Sequence, residues 1–100
     1  MIYIIKSLKT FKKQVEKLDE KTKRIIKEKI ELIKLNPYRY KKLHSKLFSK
    51  VFRIRLTINN RDTRLIYVIL EPNIILVCLL DRKDDYNDLE KYLNKVNQEF

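Results

Sequence analysis

The sequence of 100 residues contains no glycine, two prolines, one cysteine and one histidine. Without glycine there is no glycine-rich loop that could cradle a phosphate. The single cysteine rules out an internal disulfide, and since Cys78 lies inside the apolar run 74–80 we expect a small core residue in a reducing compartment. One histidine and one cysteine in separate segments do not make a zinc site. We therefore expect neither a cofactor nor a metal ion.

The sequence also lacks long apolar stretches. None approaches the roughly 18 residues that a membrane span requires. The apolar N-terminal run 1–5 is too short for a signal peptide, and Lys6 follows it at once. We therefore expect a cytoplasmic protein without membrane contact. A 44% apolar composition over this length predicts a single domain spanning residues 1–100.

The most prominent feature that is present is positive charge, and it is unevenly distributed. The formal net charge is +11, from 24 basic and 13 acidic residues. Residues 37–64 carry nine basic residues against one acidic residue, whereas residues 65–100 carry four against seven. A lysine-rich solubilising surface would explain the total. The segregation favours an anionic partner such as nucleic acid.

Hydrophobic periodicity predicts the element order β-α-α-β-β-β-α. A strand at 2–5 precedes a helix capped by Ser7, and a second helix is capped by Asp19. The apolar stripe of the second helix ends with Leu35, where Asn36-Pro37 stops the helix. The basic stretch 38–50 has no period, so we expect a loop in which His44 is a surface or packing residue.

The second half of the chain predicts three strands and a helix. Residues 51–59 alternate between an apolar and a polar face, and Asn59 to Asp62 supplies a turn before strands at 63–70 and 74–80. Asp84 or Asp85 is expected to cap the last helix. The predicted fold class is α+β: an N-terminal strand, an αα-hairpin, a three-stranded antiparallel meander that joins the first strand in a four-stranded sheet, and a C-terminal helix.

Arginine is concentrated on this predicted sheet. Five of the seven arginines lie between positions 53 and 82. Arg53 and Arg55 project from one face, Arg64 lies on the strand that runs back beside them, Arg82 follows the last strand, and Tyr86 opens the final helix. The planar guanidinium suits bidentate contact with phosphate, and an aromatic ring can stack on an unpaired base. The alternative is a solvated polar face of a half-exposed sheet.

Acidic residues cluster at one place only, formed by Asp81, Asp84, Asp85 and Asp88. Most of this cluster is explained by the preference for carboxylates at a helix N-terminus. A magnesium-dependent nuclease is the weaker interpretation of the same residues.

Three segments in order resemble the RelE/ParE family of type II toxins: VFRIRL at 51–56, RLIYVI at 64–69 and LDRKDDY at 80–86. The preceding NPYRYKKL at 36–43 is similar to that family's approach to the same strand, and so is the element order. The resemblance spans essentially the whole chain. It implies a RelE-like fold and a small antitoxin that wraps the toxin. Members of RelE type cleave mRNA in the ribosomal A site, whereas members of ParE type poison DNA gyrase.

The resemblance also implies roles for individual residues. Arg53 and Arg55 match the cations that hold the RNA backbone, and Arg64 resembles the arginine that stabilises the scissile phosphate. Arg82 matches the general acid or charge stabiliser, and Tyr86 matches the aromatic residue that orients or stacks the base. The implied reaction is metal-independent attack of the ribose 2′-hydroxyl on its own phosphate.

Two departures from the family pattern bear on this chemistry. RelE-like enzymes often have lysine where this chain has arginine at 53 and 55, and a guanidinium with a pKa above about 12 is a poor general base. Asp81 stands where many relatives carry histidine, and together with Asp84 and Asp85 it flanks Arg82. The general base is therefore left unassigned.

Three functions are consistent with these residues. The leading hypothesis is a ribosome-dependent endoribonuclease toxin whose partners are mRNA on the ribosome, rRNA contacted through the basic surface, and an antitoxin with an acidic segment. The second is a ParE-like gyrase inhibitor, which would not require the arginine set. The third is an inactive relative that only binds antitoxin or RNA.

Overall fold

The computed structural model describes residues 2–81 and 88–100. Its elements are, in chain order, β1 (Ile4–Ser7), α1 (Lys9–Glu16), α2 (Glu20–Leu35), β2 (Lys41–Leu43), β3 (Val51–Ile58), β4 (Arg61–Leu70), β5 (Asn73–Asp81) and α3 (Leu89–Glu99). The predicted elements are all found, and β2 is an additional strand. None of the helices in the described part of the chain is long and apolar enough to cross a membrane.

The strands form one five-stranded sheet in the order β1-β5-β4-β3-β2. Neighbours among β2 to β5 pair antiparallel, as predicted for the three-stranded meander, whereas β1 pairs parallel to β5. The prediction of a four-stranded sheet was wrong by one strand. The reason is that β2 has only three residues, too few for an alternating pattern to show in the basic stretch 38–50.

Helices cover both faces of this sheet, which explains why β4 from Leu65 onward and β5 between its two ends are apolar on both faces. One face packs against α1 and α2, through buried residues that include Phe52, Ile54, Leu56, Leu65, Tyr67 and Ile69. The other face packs against α3, through Val51, Ile66, Val68, Ile75, Leu89, Leu93 and Val96. A sheet buried on both faces loses the polar-apolar alternation.

Two predicted ends of α2 are confirmed, the Asp19 cap and the stop at Asn36-Pro37, whereas the predicted Ser7 cap of α1 is wrong. The Asp19 carboxylate accepts a hydrogen bond from the Thr22 N–H at 2.9 Å, so the predicted cap of α2 is confirmed. Hydrogen bonding from the Thr22 side chain, and then from its N–H, lowers the pKa of Asp19. Ser7 does not cap α1, because it ends β1 and Leu8 takes the N-cap position. Leu35 is 81% exposed and not part of the inner stripe, because it is the last residue of α2.

The turn between β3 and β4 is confirmed at Asn59 and Asn60, where it fixes the register of the two strands, whereas Arg61 and Asp62, also predicted in the turn, already belong to β4. Asn59 and Asn60 have φ values of 51° and 63°, the left-handed conformation that a two-residue type I′ hairpin requires. At the last helix, α3 begins at Leu89 after the N-cap residue Asp88. The predicted caps Asp84 and Asp85 lie outside the described residues.

A buried aromatic stack joins the segment after α2 to the sheet. Tyr67 is 0% exposed and stacks on Phe52 with ring centroids 5.8 Å apart. Its hydroxyl donates a 2.6 Å hydrogen bond to the carbonyl of Pro37, which is itself buried. The chain that leaves α2 is therefore held over β3 and β4, and this places the following residues beside the sheet edge.

We expect Tyr67→Phe to lower the free energy of unfolding by about 1–3 kcal/mol, because the buried Pro37 carbonyl loses its donor while the ring packing is kept. Urea denaturation monitored by circular dichroism measures this. Tyr38→Phe is the matched control, since the exposed Tyr38 hydroxyl bonds to Glu71 at the surface and its loss should change stability by less than about 1 kcal/mol. Equal losses in the two variants would contradict this explanation.

The outer strands β1 and β2 are short, so β5 extends past the end of β1 and β3 extends past the end of β2. The two uncovered stretches differ in what pairs with their backbone. On β5, past the end of β1, the Gln14 side chain pairs with Leu79: the Leu79 N–H donates to Oε1 at 2.8 Å, and Nε2 donates to the Leu79 carbonyl at 3.0 Å. This amide closes the β5 edge in the way that a partner strand would. On β3, the described strand β2 pairs only as far as Arg53.

Candidate nucleic-acid interface

Three of the predicted site residues meet on the sheet face that α3 partly covers. Arg53 and Arg55 are two residues apart on β3, and Arg55 lies directly opposite Arg64 of β4. The Ile69 N–H donates to the Lys50 carbonyl at 2.9 Å. Because hydrogen-bonded pairs alternate along an antiparallel ladder, the even-numbered residues of β3 are those whose backbone groups bond to β4. Arg55 and Arg64 therefore form a non-hydrogen-bonded pair, in which Cα atoms are about 4.5 Å apart.

Lys41 completes this group from the additional strand, since β2 places it directly opposite Arg53. Lys41, Arg53, Arg55 and Arg64 are called the cationic face below. Burial differs among its members: Arg53 is 7% exposed, Arg64 is half-buried and Arg55 is exposed. The Nε atoms of Arg53 and Arg64 are buried, so their aliphatic stems are held by the fold and their positions are set before any ligand arrives.

Such a concentration of like charge costs stability, and this cost can be measured. We expect Arg55→Thr to raise the free energy of unfolding by about 0.2–1 kcal/mol, because like charges directly opposite on a sheet repel. The gain should shrink in high salt, which screens the repulsion. Arg61→Thr is the control on the neighbouring strand, since Arg61 lies 3.8 Å from the Asp81 carboxylate and its loss removes an attraction instead.

On the described parts of β3, β4 and β5, one carboxylate shares the cationic face and one points away from it. Asp62 is the one acidic residue that β3 and β4 place on this face, opposite Thr57 at the hairpin end. Asp81 lies opposite Thr63, one residue out of step with Arg64, and so points to the other face, where it pairs with Arg61. Asp81 therefore does not oppose a phosphate at Arg64. Asp84 and Asp85 lie outside the described residues.

The other chemically reactive residues are structural or remote. Cys78 is 0% exposed in the core under α3, and burial raises the pKa of its thiol to about 12, so it stays protonated. His44 is exposed in the loop after β2. Among the described residues, no group of three His, Cys, Asp or Glu side chains is arranged to hold a metal ion.

Helix α3 is anchored at both ends beside the cationic face. Glu90 accepts hydrogen bonds from the Ser45 hydroxyl at 3.2 Å and the Lys46 N–H at 3.1 Å, while Glu99 accepts one from the Lys9 N–H at 3.0 Å. These contacts fix the position of α3 and of its N-cap residue Asp88. Arg82 and Tyr86, the other two predicted site residues, lie outside the described residues.

Sequence reasoning missed a further group of basic residues. Lys29 of α2 and Arg39 and Lys41 of the segment after it line a groove along the outer edge of β3, together with Tyr40, Arg53 and Arg55. Lys41 was hidden because the three-residue β2 has no readable period. Lys29 looked like one of many surface lysines on α2, and only the packing of α2 on β3 reveals its neighbours.

Comparison with solved structures gives the fold class. The chain is similar to a structure of the E. coli toxin RelE, a double-arginine mutant in the free state, with a TM-score of 0.68, 18% sequence identity and 100% of each chain covered. At this identity the likeness defines the fold, which is that of a RelE-like toxin.

The family follows from the sequence itself. Residues 5–86 match the model of the ParE toxin of type II toxin-antitoxin system, parDE. The chain belongs to this family, within the RelE/ParE superfamily, and is therefore the toxin of a toxin-antitoxin system with a cognate antitoxin as partner. No curated protein matches the sequence significantly.

Proposed function

We propose that the chain is a single RelE-like toxin domain that cleaves mRNA on the ribosome, without a metal ion. The observation that supports this most strongly is the direct opposition of Arg55 and Arg64 beside the buried Arg53. A protein-binding poison has no need to place like charges against each other at a cost in stability. Phosphate gains negative charge during in-line displacement, and its attraction to the two arginines offsets their mutual repulsion.

In the proposed reaction the ribose 2′-hydroxyl attacks the adjacent phosphorus and the bond to the 5′-oxygen of the next nucleotide breaks. The products are a 2′,3′-cyclic phosphate and a 5′-hydroxyl. Arg64 stabilises the charge on the scissile phosphate, while Arg53 and Arg55 hold the flanking backbone. The 2′-hydroxyl proton passes to water, and the leaving 5′-oxygen takes a proton from water while Arg82 stabilises its negative charge. Tyr86 stacks on the base to set its orientation.

Proton removal is the weakest part of catalysis by this site. Arginine stays protonated and does not act as a base at neutral pH. Orientation of the 2′-hydroxyl and stabilisation of the developing charge must then provide most of the acceleration. We therefore expect RNA cleavage to be slower than in an enzyme that has a tuned general base.

The family match supports a second candidate, since the model that fits residues 5–86 is named for ParE. A ParE-like toxin would inhibit DNA gyrase by binding it. Brief induction of the toxin in cells, with pulse-labelling of new protein and an SOS reporter, separates the two. The mRNA nuclease is expected to stop protein synthesis within minutes and leave the reporter silent. A strong SOS response with continuing protein synthesis would favour the gyrase inhibitor.

The cognate antitoxin is proposed to cover the cationic face with an acidic segment. A toxin with a net charge of +11 attracts such a partner at long range, which raises the association rate and blocks the substrate site at once. The association rate should then fall steeply as salt is added.

A further inference from the structure

The groove along the outer edge of β3 differs from the rest of the basic surface in its lining. Five cationic side chains surround it, contributed by α2, by the segment that follows α2, and by β3: Lys29, Arg39, Lys41, Arg53 and Arg55. Among the described residues, no acidic side chain lines it. On α2 itself, by contrast, Lys23 and Lys34 each pair with a glutamate one turn away.

The backbone of β3 adds neutral donors to these charges. Because the even-numbered residues of β3 bond to β4, the N–H groups of Arg55 and Thr57 point outward. No strand in the described part of the chain pairs with them there. Backbone N–H groups and arginine or lysine side chains are the groups that contact phosphate oxygens in nucleic-acid complexes.

The groove is continuous with the cationic face, since Lys41, Arg53 and Arg55 belong to both. A strand of nucleic acid whose phosphate lies at Arg64 can therefore pass Arg55, turn over the edge of β3 and remain among cations. Tyr40 lies in the groove and is half-buried, with a ring on which a base can stack. A second depression, lined by Arg55 and Thr57, leads in the other direction to Asp62, whose negative charge ends the row of cations.

Two occupants suit an open strand edge lined by cations: an RNA backbone, or an acidic peptide that adds a strand to the sheet. Strand addition draws its affinity from a row of main-chain hydrogen bonds. Only Arg55 and Thr57 of β3 offer outward backbone groups beyond β2, so the row is very short. The observations therefore favour the nucleic acid.

We propose that the groove between α2 and the outer edge of β3 binds the RNA backbone that continues from the cleaved phosphate, with Lys29 and Arg39 as its phosphate contacts. This rests on the proposed function, because it takes the RNA held at the cationic face as its starting point. The groove sets how many nucleotides the toxin holds and in which direction the strand leaves the site.

The test compares two double variants in a binding assay with a fluorescein-labelled 12-nucleotide RNA whose 2′-hydroxyls are methylated, so that it cannot be cleaved. Lys29→Ala with Arg39→Ala removes the groove contacts. Arg24→Ala with Lys27→Ala removes the same charges from exposed positions of α2 that do not line the groove. Circular dichroism melting establishes that both variants fold.

We expect the groove variant to bind roughly tenfold more weakly than the control variant. The slope of log affinity against log salt should fall by about 1.4 relative to wild type, since each phosphate contact to a single strand contributes about 0.7. Equal affinities and slopes in the two variants would overturn the proposal. So would a groove variant that binds RNA normally but loses binding to a glutamate-rich 12-residue peptide, because the occupant would then be a peptide.

Failure of this inference can be told apart from failure of the proposed function. If groove-dependent RNA binding is found in a wild-type protein that leaves mRNA intact in a translation reaction, the groove assignment stands and the nuclease fails. If mRNA is cut while the two double variants bind RNA alike, the nuclease stands and the groove assignment is wrong.

Discussion

Arg64→Ala is expected to slow mRNA cleavage on programmed ribosomes by about 10²- to 10³-fold, the loss typical when one preorganised group that stabilises transition-state charge is removed. Arg64 is suited to this role because its Nε is buried and the β3–β4 register places the residue directly opposite Arg55. Single-turnover cleavage, with toxin in excess over ribosomes, measures the chemical step directly.

Arg61→Ala is the control for this result. It lies on the same strand, has the same charge and is 71% exposed, but its side chain lies toward Asp81 on the opposite face. Its cleavage rate should stay within about threefold of wild type, as expected for a surface charge. If both variants lost activity to the same extent, general basicity and not the placement of Arg64 would explain cleavage.

Leu93→Ala is expected to lower the free energy of unfolding by about 2–5 kcal/mol, because a fully buried leucine leaves a cavity in a packed core. Leu93 is 0% exposed and packs α3 onto the sheet face that also bears the arginines. In a domain of this size each 1 kcal/mol shifts Tm by about 4–8 °C, so a fall of at least about 8 °C is expected.

Asn94→Ala is the matched control, because Asn94 is the next residue of α3 and is exposed. Its Tm should change by no more than a few degrees. Urea and thermal unfolding followed by circular dichroism give both values. A Leu93 variant as stable as wild type would mean that α3 contributes little to the core, contrary to the burial of Leu93 against the sheet.

The arginine arrangement was readable from the sequence because strand periodicity is strict. Residues two apart on a strand share a face, so Arg53 and Arg55 were placed together without a structure. The turn predicted at 59–62 placed Arg64 on the strand that runs back beside them. The exact register, with Arg64 opposite Arg55, came only with the structure, because it depends on the turn having two residues and not four.

What the sequence did not reveal depends on contacts between distant segments. The strand β2 is defined by its pairing with β3 and not by its own three residues. The parallel pairing of β1 with β5 joins segments about seventy residues apart, and no local pattern encodes it. The groove beside Lys29 exists only because α2 packs across β3. Asp81 was expected to flank Arg82, which lies outside the described residues; the structure adds that strand alternation turns Asp81 to the face opposite Arg64.

The measurement that tests the central claim most directly is primer extension on mRNA from cells induced for the wild-type toxin and for Arg64→Ala. If the cationic face cleaves mRNA on the ribosome, new 5′ ends should accumulate within reading frames at a fixed position relative to codons. These ends should be absent from the Arg64→Ala cells, which should continue to grow. Intact mRNA in cells whose growth is arrested by the wild-type protein would contradict the account.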